Sequence, residues 1–452
     1  MPADPAPEPD AEPSVAWAQP AAERIEAHLE TMGDRAWRRL AFVADTIGHR
    51  LSGSQGLERA IDWAVTELAS YGLENARREK VKVPKWVRGR EYARVVAPVE
   101  RELVMLGLGG SVGTRGRLRA EVAVVSHVDE IAKRGKALAG KIVLIDQAMP
   151  PYDHEQRKSF YGETVQARSR GASEGAKVGA KAVLVRSVTA RSLRTPHTGA
   201  LRYEEGVPKI PAAAVTVEDA VFLARSVARG PVTVELFMSA KTVGEVDSAN
   251  VVAEIPGRTR RDEIVLLGCH IDSWDVGDGS TDDMGGCIAV MEAARILVEL
   301  ELVPRRTVRV VLFTNEENGL RGAKAYHAAH GQERHVAVFE ADAGQGAPLA
   351  FSVAGDDADL AALEAYAPLF LPFGVTAFVP GGAGADVSPF VADGVLGIGH
   401  RPDGSHYFDL HHSPADTVDK IDPDHLARNA ASIALLAYIL AERPEPEAPA
   451  AE

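Results

Sequence analysis

Cysteine is scarce in this sequence: only Cys269 and Cys287 occur among 452 residues. A secreted fold stapled by disulfides uses more cysteines, so we interpret the pair as small buried residues of the core. Long apolar runs are also absent, and none approaches the ~20 residues that a membrane-spanning helix needs. Basic residues are outnumbered, giving a net charge of −14, whereas nucleic-acid-binding domains usually present a basic patch. We therefore expect no membrane partner and no nucleic-acid partner.

The first twenty residues are rich in proline, alanine and acidic residues, and they lack the basic start and apolar stretch of a secretory leader. Residues 1–20 are predicted to form a disordered tail, and residues 443–452 a second one. Taken literally, the sequence predicts a cytoplasmic protein. A leader that had been removed, or a misassigned start, would make the protein secreted instead.

The rest of the chain divides into three parts that differ in sequence pattern. Residues 21–113 begin with apolar positions at helical spacing and continue into strands. Residues 114–242 carry short strands separated by glycine, proline and charged turns, which indicates a β-rich inserted domain. Residues 243–442 alternate apolar strands with helices, which is typical of a largely parallel sheet covered on both faces. The predicted fold class is α/β, with 21–113 and 243–442 forming one domain around the insertion.

Residues of the kinds that bind metals stand where three apolar strands end. The strand "EIVLLGCH" ends at His270, "TVRVVLFTN" is followed by Glu316 and Glu317, and "HVAVFEAD" ends at Asp342. Reactive groups collect at the carboxyl ends of the strands in such sheets, so these side chains are expected to meet. Imidazole nitrogen and carboxylate oxygen are ligands that zinc prefers.

The loop after His270 supplies a carboxylate that can be shared. A two-metal hydrolase holds its ions ~3.5–4 Å apart, which requires a carboxylate that gives one oxygen to each ion. Asp282 lies twelve residues after His270, and the glycines of the loop allow a tight return. Asp272 is placed to accept the other ring N–H of His270 and fix its tautomer. A solvated strand end is the alternative interpretation of a lone His-x-Asp.

Two further pairs complete the candidate set. Adjacent carboxylates such as Glu316 and Glu317 are usually charged surface, but after an apolar strand they can divide roles. One can bind metal while the other takes a proton from a metal-bound water. The segment "HHSPADT" places His411 and His412 before the last helix. Either histidine alone would more often be structural, but with the strand-end residues there are enough ligands for two bridged metals.

Four segments, in this order, resemble the signature of the co-catalytic zinc aminopeptidase family: "GCHIDSWDVGDGSTDDMGG", "FTNEENGLRGA", "EADAG" and "HHSPADT". Outside them, "RLSGS", "GKIVLIDQ" and "GASEGAKVGA" are similar to the carboxypeptidase Q-like branch of that family. The likeness spans roughly residues 50–442. It implies a zinc-exopeptidase three-layer sandwich with a mixed, mainly parallel sheet. The insertion, in turn, resembles a protease-associated domain.

The resemblance also implies a role for each site residue. One zinc ion would be bound by His270 and Asp342, the other by Glu317 and His412, with Asp282 bridging them. Glu316 would be the general base, and His411 would stabilise the oxyanion, with Tyr407 as an alternative. Asp386 matches a position near the site, without a defined role. The peptide bond between Asp282 and Asp283 is expected to be cis.

The predicted function is therefore that of a metallo-exopeptidase with two Zn²⁺ ions per chain. It would hydrolyse dipeptides, or release the N-terminal residue of short peptides, through a water that bridges the ions, and the resemblance suggests a homodimer. Two rivals belong to other classes. A non-catalytic protein resembling transferrin receptors would lack metal, and a zinc acyltransferase resembling glutaminyl cyclase would form pyroglutamate.

Overall fold

The structure is a computed structural model, and it describes residues 15–444. The predicted tails lie mostly outside this range, but the boundary at residue 20 is wrong. Val15–Ala18 form a 3-10 helix that leads directly into a longer helix. Ala18 is fully buried, and the Trp17 ring lies 5.9 Å from the ring of Tyr366. Apolar side chains in an otherwise polar, proline-rich segment thus join the core.

Strands and helices alternate along the described chain. The strands are β1 (Glu74–Val87), β2 (Glu91–Ala97), β3 (Arg101–Leu103), β4 (Met105–Gly107), β5 (Leu118–Val125), β6 (Ile142–Ile145), β7 (Ala182–Arg186), β8 (Ala212–Val215), β9 (Thr233–Met238), β10 (Lys241–Ile255), β11 (Arg260–His270), β12 (Arg306–Phe313), β13 (Arg334–Glu340), β14 (Ala350–Ala354), β15 (Ala377–Pro380) and β16 (Gly397–Arg401). The helices are α1 (Gln19–Met32), α2 (Arg35–Thr46), α3 (Gln55–Ser70), α4 (Glu130–Arg134), α5 (Tyr161–Thr164), α6 (Gln166–Lys177), α7 (Val217–Val227), α8 (Gly285–Glu299), α9 (Arg321–His330), α10 (Asp357–Glu364), α11 (Ala367–Phe370), α12 (Ser388–Ala392), α13 (Tyr407–Leu410) and α14 (Pro423–Glu442).

The strands form two sheets. The main sheet has the order β1-β10-β12-β11-β13-β16-β14-β15. Its four central strands, β12, β11, β13 and β16, run parallel, and antiparallel strands flank them. Every residue of β12 is buried, as expected for a central strand covered on both faces. The predicted mixed α/β sheet is therefore confirmed.

Helices cover both faces of the main sheet and give three layers. On one face, α1, α2, α3, α8 and α14 contribute to one large apolar cluster. On the other face, α9 and α12 pack in a smaller one. The alternation of strand side chains assigns residues to these layers: Val251 joins the larger cluster and its neighbour Val252 the smaller. None of the helices within residues 15–444 is long and apolar enough to cross a membrane.

The second sheet has the order β3-β2-β9-β5-β6-β7-β8-β4 and corresponds to the inserted region. The predicted start of the insertion at residue 114 is too late, because β2, β3 and β4 already belong to this sheet. β2 pairs with β9 and β4 with β8, more than a hundred residues away, and β3 pairs with β2. Local patterns do not indicate the two distant pairings. The chain leaves the main sheet along β1 and returns along β10, and these two strands pair with each other. The identity of the insertion as a protease-associated domain stays a prediction.

Cys269 and Cys287 are both fully buried, as expected, and they are joined in a disulfide that was not expected. Cys269 is the residue before the end of β11, and Cys287 lies in the first turn of α8. The bond thus ties a central strand to the helix that covers it. Their separation of 18 residues in sequence did not indicate that the two side chains would meet.

Candidate metal centre and active site

The candidate site lies at the edge of the main sheet where three adjacent parallel strands end. His270 is the last residue of β11, Glu316 and Glu317 follow β12, and Asp342 follows β13. Because β12, β11 and β13 are neighbours in that order, their carboxyl ends bring these side chains to one place. The structure therefore brings together the strand-end residues that the sequence singles out.

His270, Asp282 and Asp342 form the first group. His270 Nε2 lies 3.2 Å from Asp282 Oδ1 and 3.5 Å from Asp342 Oδ1. Ligand atoms of all three lie within 4.8 Å of one another. Burial disfavours a charge on His270, but the nearby carboxylates outweigh it and hold the pKa of His270 well above its ordinary value. The carboxylates thus attract positive charge to this point, which fits a bound cation.

The tautomer of His270 is set by Asp272. His270 Nδ1 donates to the backbone carbonyl oxygen of Asp272 at 3.0 Å, and the Asp272 carboxylate lies farther away at 3.9 Å. In the neutral ring this bond keeps the proton on Nδ1, so Nε2 is the nitrogen that would bind a metal ion in place of a proton. The carboxylate of Asp272 instead accepts a hydrogen bond from the backbone N–H of Glu316 at 3.0 Å. Asp272 therefore accepts the ring N–H of His270, as expected, and it does so through its backbone carbonyl and not its carboxylate.

The second group contains Glu317, Asp282 and His412. His412 Nε2 lies 2.9 Å from Glu317 Oε2 and 3.2 Å from Asp282 Oδ2. The two oxygens of Asp282 therefore face different histidines, which is the geometry of a shared ligand. Glu317 Oε1 is buried without a hydrogen-bond partner in the described residues, so it has an unused lone pair for a cation.

His411 lies against the second group. Its ring stacks on that of His412, with 3.4 Å between centroids, and its Nε2 is 3.7 Å from Asp282 Oδ2. His411 is therefore an alternative to Glu317 as the third ligand of this group, after Asp282 and His412. We favour Glu317 because its oxygen approaches the metal-facing nitrogen of His412 directly. Burial, together with the charge of His412, holds the pKa of His411 well below its ordinary value, so its imidazole is neutral.

Asp282 is held by a turn and by a buried acid. It lies in the turn Ser280–Met284, and the Asp282–Asp283 peptide bond is cis, as the resemblance implies. Asp416 accepts hydrogen bonds from the backbone N–H groups of Thr281 at 2.6 Å and Asp282 at 3.1 Å. Burial raises the pKa of Asp416 to about 7. This pair of bonds fixes the backbone that carries the shared carboxylate.

Arg50 braces the loop that leads to Asp282. Its side chain is fully buried and donates to the backbone carbonyl oxygens of Ile271 at 2.7 Å, Asp278 at 2.6 Å and Gly279 at 2.9 Å. Gly279 has a φ of 64°, and a Cβ there would lie 2.5 Å from Ser273 Cβ. The hydrogen bonds from Arg50 and the close contact at Gly279 restrict the conformation of the loop that brings Asp282 back to His270.

Glu316 lines a cavity of about 1080 Å³ together with the candidate ligands Asp282, Glu317, Asp342 and His412. Burial raises the pKa of Glu316 well above its ordinary value, and the negative charges of Asp342 and Glu317 add to the effect. Such a carboxylate has the affinity for protons that a general base needs. Tyr407 lines the same cavity, and burial raises the pKa of its phenol, so the hydroxyl stays protonated.

Asp386 is fully buried next to this cluster. Neither carboxylate oxygen has a hydrogen-bond partner within residues 15–444. Burial raises the pKa of Asp386 well above its ordinary value, and the charges of Glu340 and Glu316 act in the same direction. Asp386 therefore lies near the general-base candidate, as the resemblance suggests, and its role stays a prediction.

The inserted region reaches into the metal centre. His197 Nδ1 donates to the backbone carbonyl oxygen of His411 at 2.7 Å, and the backbone N–H of Thr198 donates to that of His412 at 2.9 Å. His412 has a φ of 60°, which non-glycine residues adopt rarely. The cavity is walled on this side by α6 and by residues 200–204. The site is therefore built from both sheets.

Comparisons with known proteins agree with this geometry. Residues 250–437 match the model of peptidase family M28. Carboxypeptidase Q of Mus musculus is 41% identical over 416 residues, which cover 91% of this chain and 87% of that one. The chain belongs to peptidase family M28. The structure of a "Peptidase M28 precursor" from Shewanella amazonensis is 36% identical with a TM-score of 0.90, covering 96% of this chain and all of that one.

Other M28 peptidases share the fold at lower identity. A zinc aminopeptidase from Bacillus subtilis is 18% identical with a TM-score of 0.66, and the match covers 91% of this chain and 96% of that one. This likeness is one of fold alone. With the carboxypeptidase Q relatives, the family membership makes this chain a zinc-dependent metallopeptidase, as the sequence predicted.

Sequence reasoning missed several residues that build the M28 site. Arg50 stands in "RLSGS" and Asp416 in "HHSPADT", two segments that carried the resemblance, but neither was singled out for a role. His197 stands in "PHTG" within the inserted region. The signal that could have found these residues is a charged side chain inside such a segment, because a charge is buried only where it has partners. Which partners they have depends on tertiary contacts.

Proposed function

We propose that this M28 peptidase is a two-zinc exopeptidase that hydrolyses dipeptides or removes the N-terminal residue of short peptides. One observation supports it most: the two oxygens of Asp282 each face a different histidine at 3.2 Å, His270 through Oδ1 and His412 through Oδ2. A pair of metal ions ~3.5–4 Å apart needs a ligand shared in this way.

The residues present fit two zinc ions. His270 and Asp342 would hold one ion, Glu317 and His412 the other, and Asp282 both. Imidazole and carboxylate are zinc ligands, and so many buried acids without a counter-charge would be costly. Bound there, the ions would lower the pKa of an attacking water and polarise the substrate carbonyl.

Glu316 is the proposed general base. Its carboxylate would take a proton from the attacking water and pass it to the nitrogen of the leaving amine. Its position beside Glu317, in the cavity that the proposed ligands line, suits both transfers. His411 is the proposed oxyanion stabiliser, because its neutral imidazole can donate an N–H to the carbonyl oxygen as negative charge develops there.

The cavity supports small peptides as substrates. Its volume of about 1080 Å³ lies between the main-sheet loops and the wall from the inserted region. Small-molecule sites are concave and of similar size, whereas an internal bond of a folded protein would have to pass this wall. The carboxylates around the metal positions also attract an α-ammonium group, which a blocked N-terminus lacks.

A dipeptide reconciles the names of the relatives. Carboxypeptidase Q is named for release of a C-terminal residue, and the solved neighbours are named aminopeptidases. In a dipeptide the first and the last peptide bond are the same bond. An enzyme that prefers dipeptides would therefore act in both senses on its best substrate.

The test compares four substrates with zinc-loaded protein under identical conditions: a free dipeptide, its N-acetylated form, its C-terminal amide and casein. We expect rapid hydrolysis of the free dipeptide, slow or no hydrolysis of the acetylated form, and no internal cleavage of casein. Equal rates on the free and acetylated dipeptides would contradict the need for a free amine. Internal cleavage of casein would contradict exopeptidase action.

Two measurements separate the rivals. A non-catalytic protein would hold no zinc after dialysis, whereas the proposed enzyme retains about two ions per chain, the number a co-catalytic site needs. A glutaminyl cyclase-like acyltransferase would convert an N-terminal glutamine peptide to its pyroglutamyl form without releasing an amino acid. Homodimer formation also stays a proposal, and light scattering would test it.

A further inference from the structure

Tyr161 is a residue of the inserted region that lies in the active-site cavity. It begins the short helix α5 and lines the cavity together with Asp282 and Glu317. Its ring is held between two side chains of the main-sheet domain. It stacks on Phe408 with 4.6 Å between centroids and packs edge-on against His411 at 5.0 Å. A tyrosine of the inserted region is thus fixed beside His411, the residue before the proposed metal ligand His412.

The hydroxyl of Tyr161 has a hydrogen to donate. Within the described residues, its hydrogen-bond partner is Arg168 Nη2. A guanidinium only donates, so the phenol oxygen accepts in this bond and its own hydrogen is not used. A tyrosine phenol is neutral near pH 7 and keeps that hydrogen. The hydrogen is available to a group that enters the cavity.

Arg168 fixes this arrangement. It lies in α6, is 5% exposed, and donates from Nη1 to the backbone carbonyl oxygen of Thr198 at 3.0 Å. The same Nη1 is 3.3 Å from Nδ1 of the ligand candidate His412. Gly199 leaves room for the guanidinium, since a Cβ there would lie 2.3 Å from Arg168 Cζ. The phenol is therefore anchored to the same loop that holds His412.

We propose that Tyr161 is a catalytic hydrogen-bond donor, whose hydroxyl donates to the carbonyl oxygen of the scissile peptide bond, and that Arg168 is its positioning residue. This rests on the proposed peptidase function. Negative charge grows on that oxygen during attack, and a donor that is already oriented in a buried site stabilises the transition state more than the substrate. The inserted region would then supply part of the catalytic machinery as well as a wall.

The first test is Tyr161→Phe, which removes the hydroxyl and keeps the ring contacts. Loss of one oxyanion donor typically costs about 100–1,000-fold in kcat, so we expect a fall of that order with KM changed less than about threefold. Zinc content, measured by elemental analysis, stays at the wild-type value. Isothermal titration with a phosphinic dipeptide analogue, a mimic of the tetrahedral transition state, should show at least about 30-fold weaker binding.

Tyr92→Phe is the matched control. Tyr92 also belongs to the inserted region, on β2, but it is not among the residues that line the cavity, and its hydroxyl donates to Glu235 Oε1 at 3.2 Å. Its hydrogen is already used, so kcat should stay within about twofold of wild type, since this bond stabilises only the fold. Equal effects of the two variants on kcat would overturn the proposal.

The role of Arg168 is tested by a double-mutant cycle. Arg168→Lys should lower kcat about tenfold in the wild-type background but less than about threefold in Tyr161→Phe, because residues that act through one another are not additive. Multiplicative effects would overturn the positioning role. If Tyr161→Phe keeps more than about a tenth of the wild-type kcat, the donor role fails while the peptidase function stands. If the zinc-loaded wild type hydrolyses no peptide, the proposed function itself fails.

Discussion

Arg50 offers the most direct test of how the fold holds the metal centre, through the change Arg50→Met. Methionine replaces the apolar stem but donates no hydrogen bonds. The carbonyl groups of Gly48, Ile271, Asp278 and Gly279 would lose their donor, at distances between 2.6 and 3.0 Å. Each buried group left unsatisfied costs about 1–3 kcal/mol. Against this, the variant no longer buries a guanidinium, whose desolvation costs several kcal/mol.

The loss of these hydrogen bonds should outweigh the gain from no longer burying a guanidinium. Removal of one partner from a buried charged network typically costs about 3–5 kcal/mol. Burial lowers the pKa of Arg50, but its bonds and nearby acids keep it charged at neutral pH. We therefore expect Arg50→Met to lower the free energy of unfolding by about 3–5 kcal/mol. Zinc affinity should also fall about 10–100-fold, as for other residues that orient metal ligands, because the loosened loop carries Asp282.

Urea unfolding of the metal-free wild type and variant measures the change in the free energy of unfolding. Competition with a chelator measures the change in zinc affinity. Arg428→Met is the matched control, because Arg428 is half-exposed, pairs with Asp424 one helical turn away and donates to the Pro372 carbonyl at the surface. Such a pair contributes about 0.3–0.5 kcal/mol. If Arg50→Met lost less than about 1 kcal/mol and kept its zinc affinity, the bracing role would be refuted.

Three further changes test separate parts of the site and fold. Glu316→Gln should lower kcat about 10²–10⁴-fold with zinc content unchanged, and a variant that keeps more than a tenth of the rate would exclude the general-base role. Asp282→Ala should lose both zinc ions on dialysis, whereas retention of both would show that Asp282 is not the shared ligand. Burial holds the pKa of His400 at about 4, below its ordinary 6.5. Below pH 6.5 the unfolded chain therefore binds a proton that the folded chain does not, and stability falls as pH falls. Between pH 7.5 and 5.0, urea unfolding of metal-free wild type should lose about 2 kcal/mol more than that of His400→Gln, and equal losses would contradict the burial effect.

The sequence predicted the strand-end part of the site well, and the reason is physical. Central parallel strands are apolar along their whole length, so a histidine or carboxylate at the end of one stands out. His270, Glu317 and Asp342 follow three such strands, and the structure puts these strands side by side. Asp282 was found because a two-metal site requires a shared carboxylate near the first histidine. None of these inferences needed knowledge of distant contacts.

What the sequence did not predict depends on contacts between distant segments. The early strands β2 and β4 looked like a continuation of the first domain, but their partners lie beyond residue 200. The disulfide between Cys269 and Cys287 depends on how α8 packs against β11. Asp272 was adjacent to the right residue, but the choice between its carbonyl and its carboxylate is a matter of about an ångström in local geometry.

The two metal groups differ in what holds them. His270, Asp282 and Asp342 all come from the main sheet and its loops, whereas His412 stands on a loop whose carbonyl groups are bonded by His197 and Thr198 of the inserted region. That inserted region is also the wall of the cavity. A movement of the second sheet that widened the cavity would have to break these bonds or carry His412 with it. Access of substrate and the geometry of the proposed second metal position are therefore coupled, and the first position is linked to both through the shared Asp282.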